Sequence, residues 1–194
     1  MNHATYLRTA AIPLSGLAPF PGNAKRGDVA AILESLRRNG QYRCLVVREM
    51  PGAPLTVLAG NHTAQALDAH GPGDCGQPSC GVCDNAPEWT PAARCEVVTC
   101  DENTTRRINL VDNRAADLGS YDADALAELL SFLDDGYAGT GYQEADVERL
   151  LAPPPSTEEL VDTYRHPEDE EMWPVLRFTA PPQDRDLFYD LTAD

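Results

Sequence analysis

The run Gly60-Asn61-His62-Thr63 follows the apolar stretch Thr56-Val57-Leu58-Ala59 and opens a segment of helix formers. Glycine at such a junction lets the main chain pass close to a ligand, and the N–H groups of a helix's first turn, from Asn61 onward, point at an anion. His62 can donate to a phosphate or act as a general acid, because imidazole titrates near neutrality. The same ring can instead cap the turn or pack on the neighbouring strands. Thr63 adds a hydroxyl at the helix start, as a phosphate donor or an ordinary cap. Arg26 and Arg114 are the candidates for charge-assisted phosphate contacts, with surface ion pairing as the alternative for either. Asp112 and Asn113 offer hard oxygens to a Mg²⁺ shared with two phosphate oxygens, although Asn113 can equally satisfy a main-chain group of its own helix. A metal-activated water there would hydrolyse a nucleotide or a phosphodiester. Nothing in these residues chooses between turnover and simple binding.

Six cysteines define a second chemistry. Cys75, Cys80 and Cys83 fall within nine residues, in a Gly/Pro-rich excursion with little apolar content of its own. Cys80-Gly81-Val82-Cys83 has the Cys-x-x-Cys spacing that presents two thiolates to one tetrahedral zinc, and Cys75 supplies a third. Cys95, where the chain returns to an apolar strand, is the expected fourth ligand, with His70 and Cys100 as rivals. Such a closed site would be structural and would contribute folding energy to the loop. Free thiols or an oxidised pair are the alternative. Cys44 lies in an apolar run and reads as a core residue.

The elements that would position these groups follow from periodicity. Ile12 to Leu17 reads as a short extended lead-in, followed by the Pro/Gly-rich loop Pro19 to Asn23. Asp28 is a plausible N-cap for a helix whose Val29, Ile32, Leu33 and Leu36 share one face and which Asn39-Gly40 ends. Cys44 to Val47 and Thr56 to Leu58, joined through Pro51-Gly52, read as a buried hairpin. A helix over 61–70 comes next, then the aperiodic excursion Gly71 to Ala93, then a strand over 95–99. Helices are expected from Glu102 to about Ala116, after Asp122 (Leu126, Leu129, Leu130, Leu133), and over 144–151. Pro153-Pro154-Pro155 is a stiff spacer, since proline fixes φ and lacks a donor. Beyond it lie an acidic helix candidate (157–165), a short strand (175–178) and a last helix (183–191).

The length suits one domain with a core and an appendage, divided here as 1–152, with a cysteine-rich insertion at 71–94, and 153–194. No stretch approaches the roughly 18 apolar residues of a membrane span, and the N-terminus does not read as a secretory signal, so the expected location is the cytoplasm. The formal charge is −16. Residues 155–194 hold eleven Asp or Glu against three Arg, half of that imbalance. A surface of this charge repels nucleic acid at long range, so duplex binding is not the default.

Three motifs in this order resemble the ParB/sulfiredoxin superfamily. Pro21-Gly22-Asn23-Ala24-Lys25-Arg26 is similar to its Pro-x-Asn-x-x-Arg loop. Gly60-Asn61-His62-Thr63-Ala64-Gln65-Ala66 sits where ParB proteins carry Gly-Glu-Arg-Arg-x-x-Ala and sulfiredoxins Gly-Cys-His-Arg. Val111-Asp112-Asn113-Arg114 is similar to the Glu-Asn-x-x-Arg segment near the triphosphate and its metal. The match spans about residues 12–151. Asn39 to Arg43, Val57 to Thr63, Asp112 to Gly119 and Gly139 to Tyr142 resemble more narrowly the short ParB-like (nuclease-labelled) proteins of actinobacterial phages. Residue 61 is asparagine where sulfiredoxins need their thiolate, which excludes sulfiredoxin chemistry. No helix-turn-helix follows the domain as it does in ParB proteins; an acidic tail does.

The resemblance implies an α+β fold, a small mixed sheet with surrounding helices. It implies a nucleotide-phosphate site formed by Asn23, Arg26, Gly60, Asn61, His62, Thr63, Asn113 and Arg114, with Mg²⁺ and with hydrolysis or phosphate transfer as a second step in which His62 is the catalytic candidate. The alternatives are a DNA-associated module, a metal-dependent nuclease or a regulator acting with a partner, and a non-catalytic interaction protein whose tail binds another protein.

Overall fold

A computed structural model describes residues 3–84, 88–153 and 156. Contacts divide the chain at Ala152, and Met1–Ala152 is the first unit. The elements expected at 157–165, 175–178 and 183–191 lie outside the described residues. No helix of the described residues is long and apolar enough to cross a membrane.

The fold is α+β. Strands β1 (Thr5–Pro13), β2 (Leu17–Ala18), β3 (Leu45–Arg48), β4 (Leu55–Ala59) and β5 (Ala92–Thr99) form one mixed sheet in the order β1-β5-β3-β4-β2. The β3–β4 pair is the expected antiparallel hairpin, with Val47 opposite Val57. β5 enters parallel to β3, and β1 closes the other flank antiparallel to β5, from Thr5 opposite Thr99 to Pro13 opposite Ala92. The lead-in expected at Ile12 is therefore the end of a nine-residue strand. Its side chains are almost all exposed, so an apolar alternation that would reveal it is missing.

The central strands read as continuous apolar runs because both faces of the sheet are covered. Side chains alternate faces along a strand. Val47, Val57 and Val97 pack with Leu36, Ala66 and Leu67, whereas their neighbours Val46, Leu58 and Val98 pack with Phe20 and Ile108. The first face carries helices α1 (Val29–Asn39) and α2 (Asn61–His70), and the second carries α3 (Glu102–Leu118). Helices α4 (Ala123–Ser131) and α5 (Glu144–Leu151) pack on each other. Asp28, Asp101 and Asp122 each accept an N–H of the first turn that follows, Ala31, Thr104 and Ala125 respectively, which sets where α1, α3 and α4 begin. The start of α3 is also held by the buried Arg48, which donates through Nε to the Cys100 carbonyl (2.9 Å) and pairs with Glu102.

Candidate functional site

α2 begins on Gly60, at φ +88°, where a Cβ would lie 3.2 Å from Leu45 Cγ. Both the left-handed backbone and the close approach require glycine here. The glycine N-cap offers this helix no side-chain acceptor, so its first-turn N–H groups stand at the positive end of the helix dipole without a side-chain cap. Gly60, Asn61, His62 and Thr63 line a cleft of about 120 Å³ with Asn23 from the 19–28 loop and Asn109, Asp112 and Asn113 from α3. Three segments far apart in sequence thus meet at one small polar space. Thr63 also lines two adjoining cavities of about 120 and 150 Å³, both walled by Arg43.

Several of these polar side chains are already committed to the scaffold. Asn61 is buried; its Oδ1 accepts the Phe20 N–H (2.9 Å) and its Nδ2 donates to the Val57 carbonyl (3.2 Å). It clamps the 19–28 loop to the strand below. His62 Nε2 accepts the Gly27 N–H at 3.0 Å, which leaves Nδ1 as the nitrogen that carries the ring proton. Gly27 packs so close to that ring that a Cβ would lie 2.7 Å from it. Asn109 Nδ2 donates to the Leu58 carbonyl (3.0 Å), and Asn113 Nδ2 donates to the Asn109 carbonyl one turn back (2.9 Å). Asn23 differs: its Oδ1 is buried and has no hydrogen-bond partner.

The two expected arginines are not among the lining residues. Arg26 and Arg114 are both exposed. The loop's neighbouring cation, Lys25, instead pairs with Asp117 on α3 at 2.7 Å and holds that carboxyl below its usual range. The arginine beside the cleft is Arg43, whose guanidinium lies 3.4 Å from Asp112 and is largely exposed. Sequence reasoning missed it because it sits in the irregular stretch before β3, outside any motif treated as phosphate-binding; its placement just ahead of a buried strand was the available signal.

At the opposite end of α2 stands a second cluster. The ligand atoms of His70, Cys75, Cys80 and Cys83 all lie within 4.8 Å of one another. Cys80 and Cys83 are buried, as is His70, and Cys75 is half-buried. This group can hold a metal ion. Cys95, expected as the fourth ligand, is not part of it: its thiol is buried in β5, donates to the Ala93 carbonyl (3.4 Å), and is pushed up to about 11 by that burial. Successive side chains of a strand point to opposite faces, and Cys95 shares its face with Val97, packed in the core. Cys100 is likewise elsewhere, its sulfur 3.3 Å from Thr105 Oγ1. His70, the rival, completes this group of four.

No protein-family model matches the chain, and no curated protein matches it. Among solved structures, the chain is similar to the C-terminally truncated chromosome-partitioning protein ParB from Caulobacter crescentus complexed with CTP-gamma-S, at 13% identity and a TM-score of 0.48 over 74% of this chain and 70% of that one. It is also similar to the same truncated protein complexed to the centromeric parS site, at 14% identity and a TM-score of 0.36 over 73% of this chain and 64% of that one.

Proposed function

We propose that this chain binds the phosphate groups of a nucleotide at the first turn of α2. The observation that carries the reading is the uncapped helix start after Gly60, opening into a cleft that also receives Asn23, Asp112 and Asn113. Main-chain N–H groups at 61–63 and the Thr63 hydroxyl are the donors, and the Nδ1 proton of His62 is a further one. Asn23 Oδ1, buried and without a partner among the described residues, accepts from a donor on the ligand. Arg43 supplies the charge at the rim, and Arg26 and Arg114 act from the surface around it. Asp112 and Asn113 offer oxygen ligands to a Mg²⁺ that travels with the nucleotide. Phosphate release or transfer is a second step, in which His62 is the catalytic candidate as a hydrogen-bond donor to phosphate through Nδ1; binding stands without it. DNA, reached through a partner, and a protein partner for the acidic tail belong to the same reading as later steps.

Calorimetric titration of the full chain with CTP, ATP, ADP and GTP, each with Mg²⁺, is the direct test. Saturable binding of at least one, lost in Gly60→Ala, is the expected result. No heat and no shift in thermal midpoint with any of the four removes the proposal.

A further inference from the structure

The cysteine cluster is independent of the cleft and has its own geometry. His70 Nδ1 lies 2.8 Å from the Gly71 carbonyl. A carbonyl only accepts, so Nδ1 carries the proton and Nε2 presents a lone pair, 3.2 Å from Cys80 Sγ. That is the arrangement in which a second hydrogen bond fixes the tautomer of a metal-ligating histidine. Cys75 Sγ and Cys83 Sγ are 3.8 Å apart. A regular tetrahedron with Zn–S bonds of about 2.3 Å has sulfurs about 3.8 Å apart, whereas a disulfide needs about 2.05 Å.

The backbone around the cluster is built to hold this shape. Asp84 Oδ2 accepts the Cys80 N–H (2.9 Å) and the Asp84 N–H returns to the Cys80 carbonyl (2.8 Å), closing the Cys-x-x-Cys turn. The Trp89 ring stands edge-to-face on His70, with centroids 5.2 Å apart. Gly81 donates to the Arg37 carbonyl in the last turn of α1, and a Cβ on Gly81 would lie 2.5 Å from Gly40 N. Arg37 keeps a buried Nε with no hydrogen-bond partner among the described residues.

We propose that His70 Nε2 and the thiolates of Cys75, Cys80 and Cys83 hold one zinc ion in a closed tetrahedral site that fastens segment 71–84 to the ends of α1 and α2. Four protein ligands leave no position for a substrate, so the ion is structural. Segment 71–84 has few apolar side chains beyond Val82, and the ion replaces the core it lacks. Because His70 ends the helix whose first turn forms the cleft, the ion also sets the far anchor of that helix.

The test is metal analysis of the full chain purified from zinc-supplemented cells, with Co²⁺ exchanged in as a spectroscopic probe. The expected result is about one zinc per chain and the intense thiolate-to-metal and tetrahedral ligand-field bands of Co²⁺. Cys80→Ser loses at least about fivefold in retained metal, Cys95→Ser retains the wild-type amount, and His70→Cys keeps a metal with a four-sulfur spectrum. Hydrogen exchange at 37–40 and 67–71 speeds up on chelation, while β3 and β5 keep their protection. The proposal is overturned if wild type retains no zinc and gives no thiolate bands, if a Cys75–Cys83 disulfide is found instead, if Cys95→Ser loses metal as Cys80→Ser does, or if chelation leaves exchange at 37–40 and 67–71 unchanged. Should Cys80→Ser not accumulate, the wild-type and Cys95→Ser spectra decide by themselves.

Discussion

The two ends of α2 use polar side chains in opposite ways. At its N-terminus, Asn61 and His62 are bonded to the backbone of the 19–28 loop, and Asn109 and Asn113 to backbone at Leu58 and within α3. What stays available to a ligand is mainly the main chain and a few rim groups. At its C-terminus, four side chains converge on one another, and the backbone serves them. A site for an exchangeable anion can be built from helix N–H groups, with side chains committed to shaping the space. A site for a permanent ion needs the side chains themselves, enclosed and fixed by outer partners.

The contrast predicts unequal consequences for stability. Stripping metal with a strong chelator is expected to lower the thermal midpoint by on the order of 10 °C, since structural zinc contributes several kcal/mol and each is worth about 2–4 °C in a chain of this size. A nucleotide at saturation is expected to raise the midpoint by only a few degrees. Equal and opposite effects of chelator and nucleotide, read by scanning calorimetry, would erase the distinction. Next in size is Asn61→Ala, which orphans the Phe20 N–H and the Val57 carbonyl and is expected to cost about 2–3 kcal/mol by denaturant unfolding. Gly60→Ala follows at about 1–2 kcal/mol, from the positive φ and the contact with Leu45. Unlike Asn61→Ala, it should abolish nucleotide binding at temperatures where the protein stays folded.

The fold was readable where burial imposed a period. Helix α1 follows from Asp28 and the stripe Val29, Ile32, Leu33, Leu36, and β3 and β4 from their apolar runs, because both faces of those strands are covered. Strand β1 escaped, since an edge strand paired on one side and exposed along most of its length has no apolar alternation to show. At the cleft, the sequence pointed to Gly60 as the turn and to 23, 60–63 and 112–113 as neighbours. It could not say that Asn61 and His62 are bonded to the 19–28 loop, because a side chain's partner 35 or 41 residues away leaves no local trace. The cysteine spacing marked three members of the cluster, while the fourth depended on which residues the fold brings to them. Cys95 stays on β5, bonded to the Ala93 carbonyl, and His70, at the end of α2, joins Cys75, Cys80 and Cys83.

Arg43 tests the rim of the cleft without touching its scaffold. The side chain is exposed and its ion pair with Asp112 is long, so Arg43→Ala is expected to weaken nucleotide binding about three- to tenfold and to leave the unfolding midpoint within about 1 °C. An unchanged affinity, measured by titration beside Arg26→Ala and Arg114→Ala, would move the cationic role to one of those two.

The smallest effect is expected where the 19–28 loop meets α3. Lys25 donates to Asp117 at 2.7 Å, and this bond, with the lysine's charge, holds the Asp117 carboxyl below its ordinary 3.8. A carboxyl whose folded value is depressed binds fewer protons in the folded chain than in the unfolded one. Its contribution is therefore complete above the unfolded value and is lost as pH falls through the folded one. Asp117→Asn should thus lower the thermal midpoint slightly and by a constant amount from pH 7 to about 5, with the two proteins converging below the unfolded carboxyl range. High salt should shrink the difference at neutral pH, since both groups are partly exposed. A difference that grows toward acid would mean that Asp117 acts through some contact other than Lys25, and the loop would then owe its position to Asn61 and His62 alone.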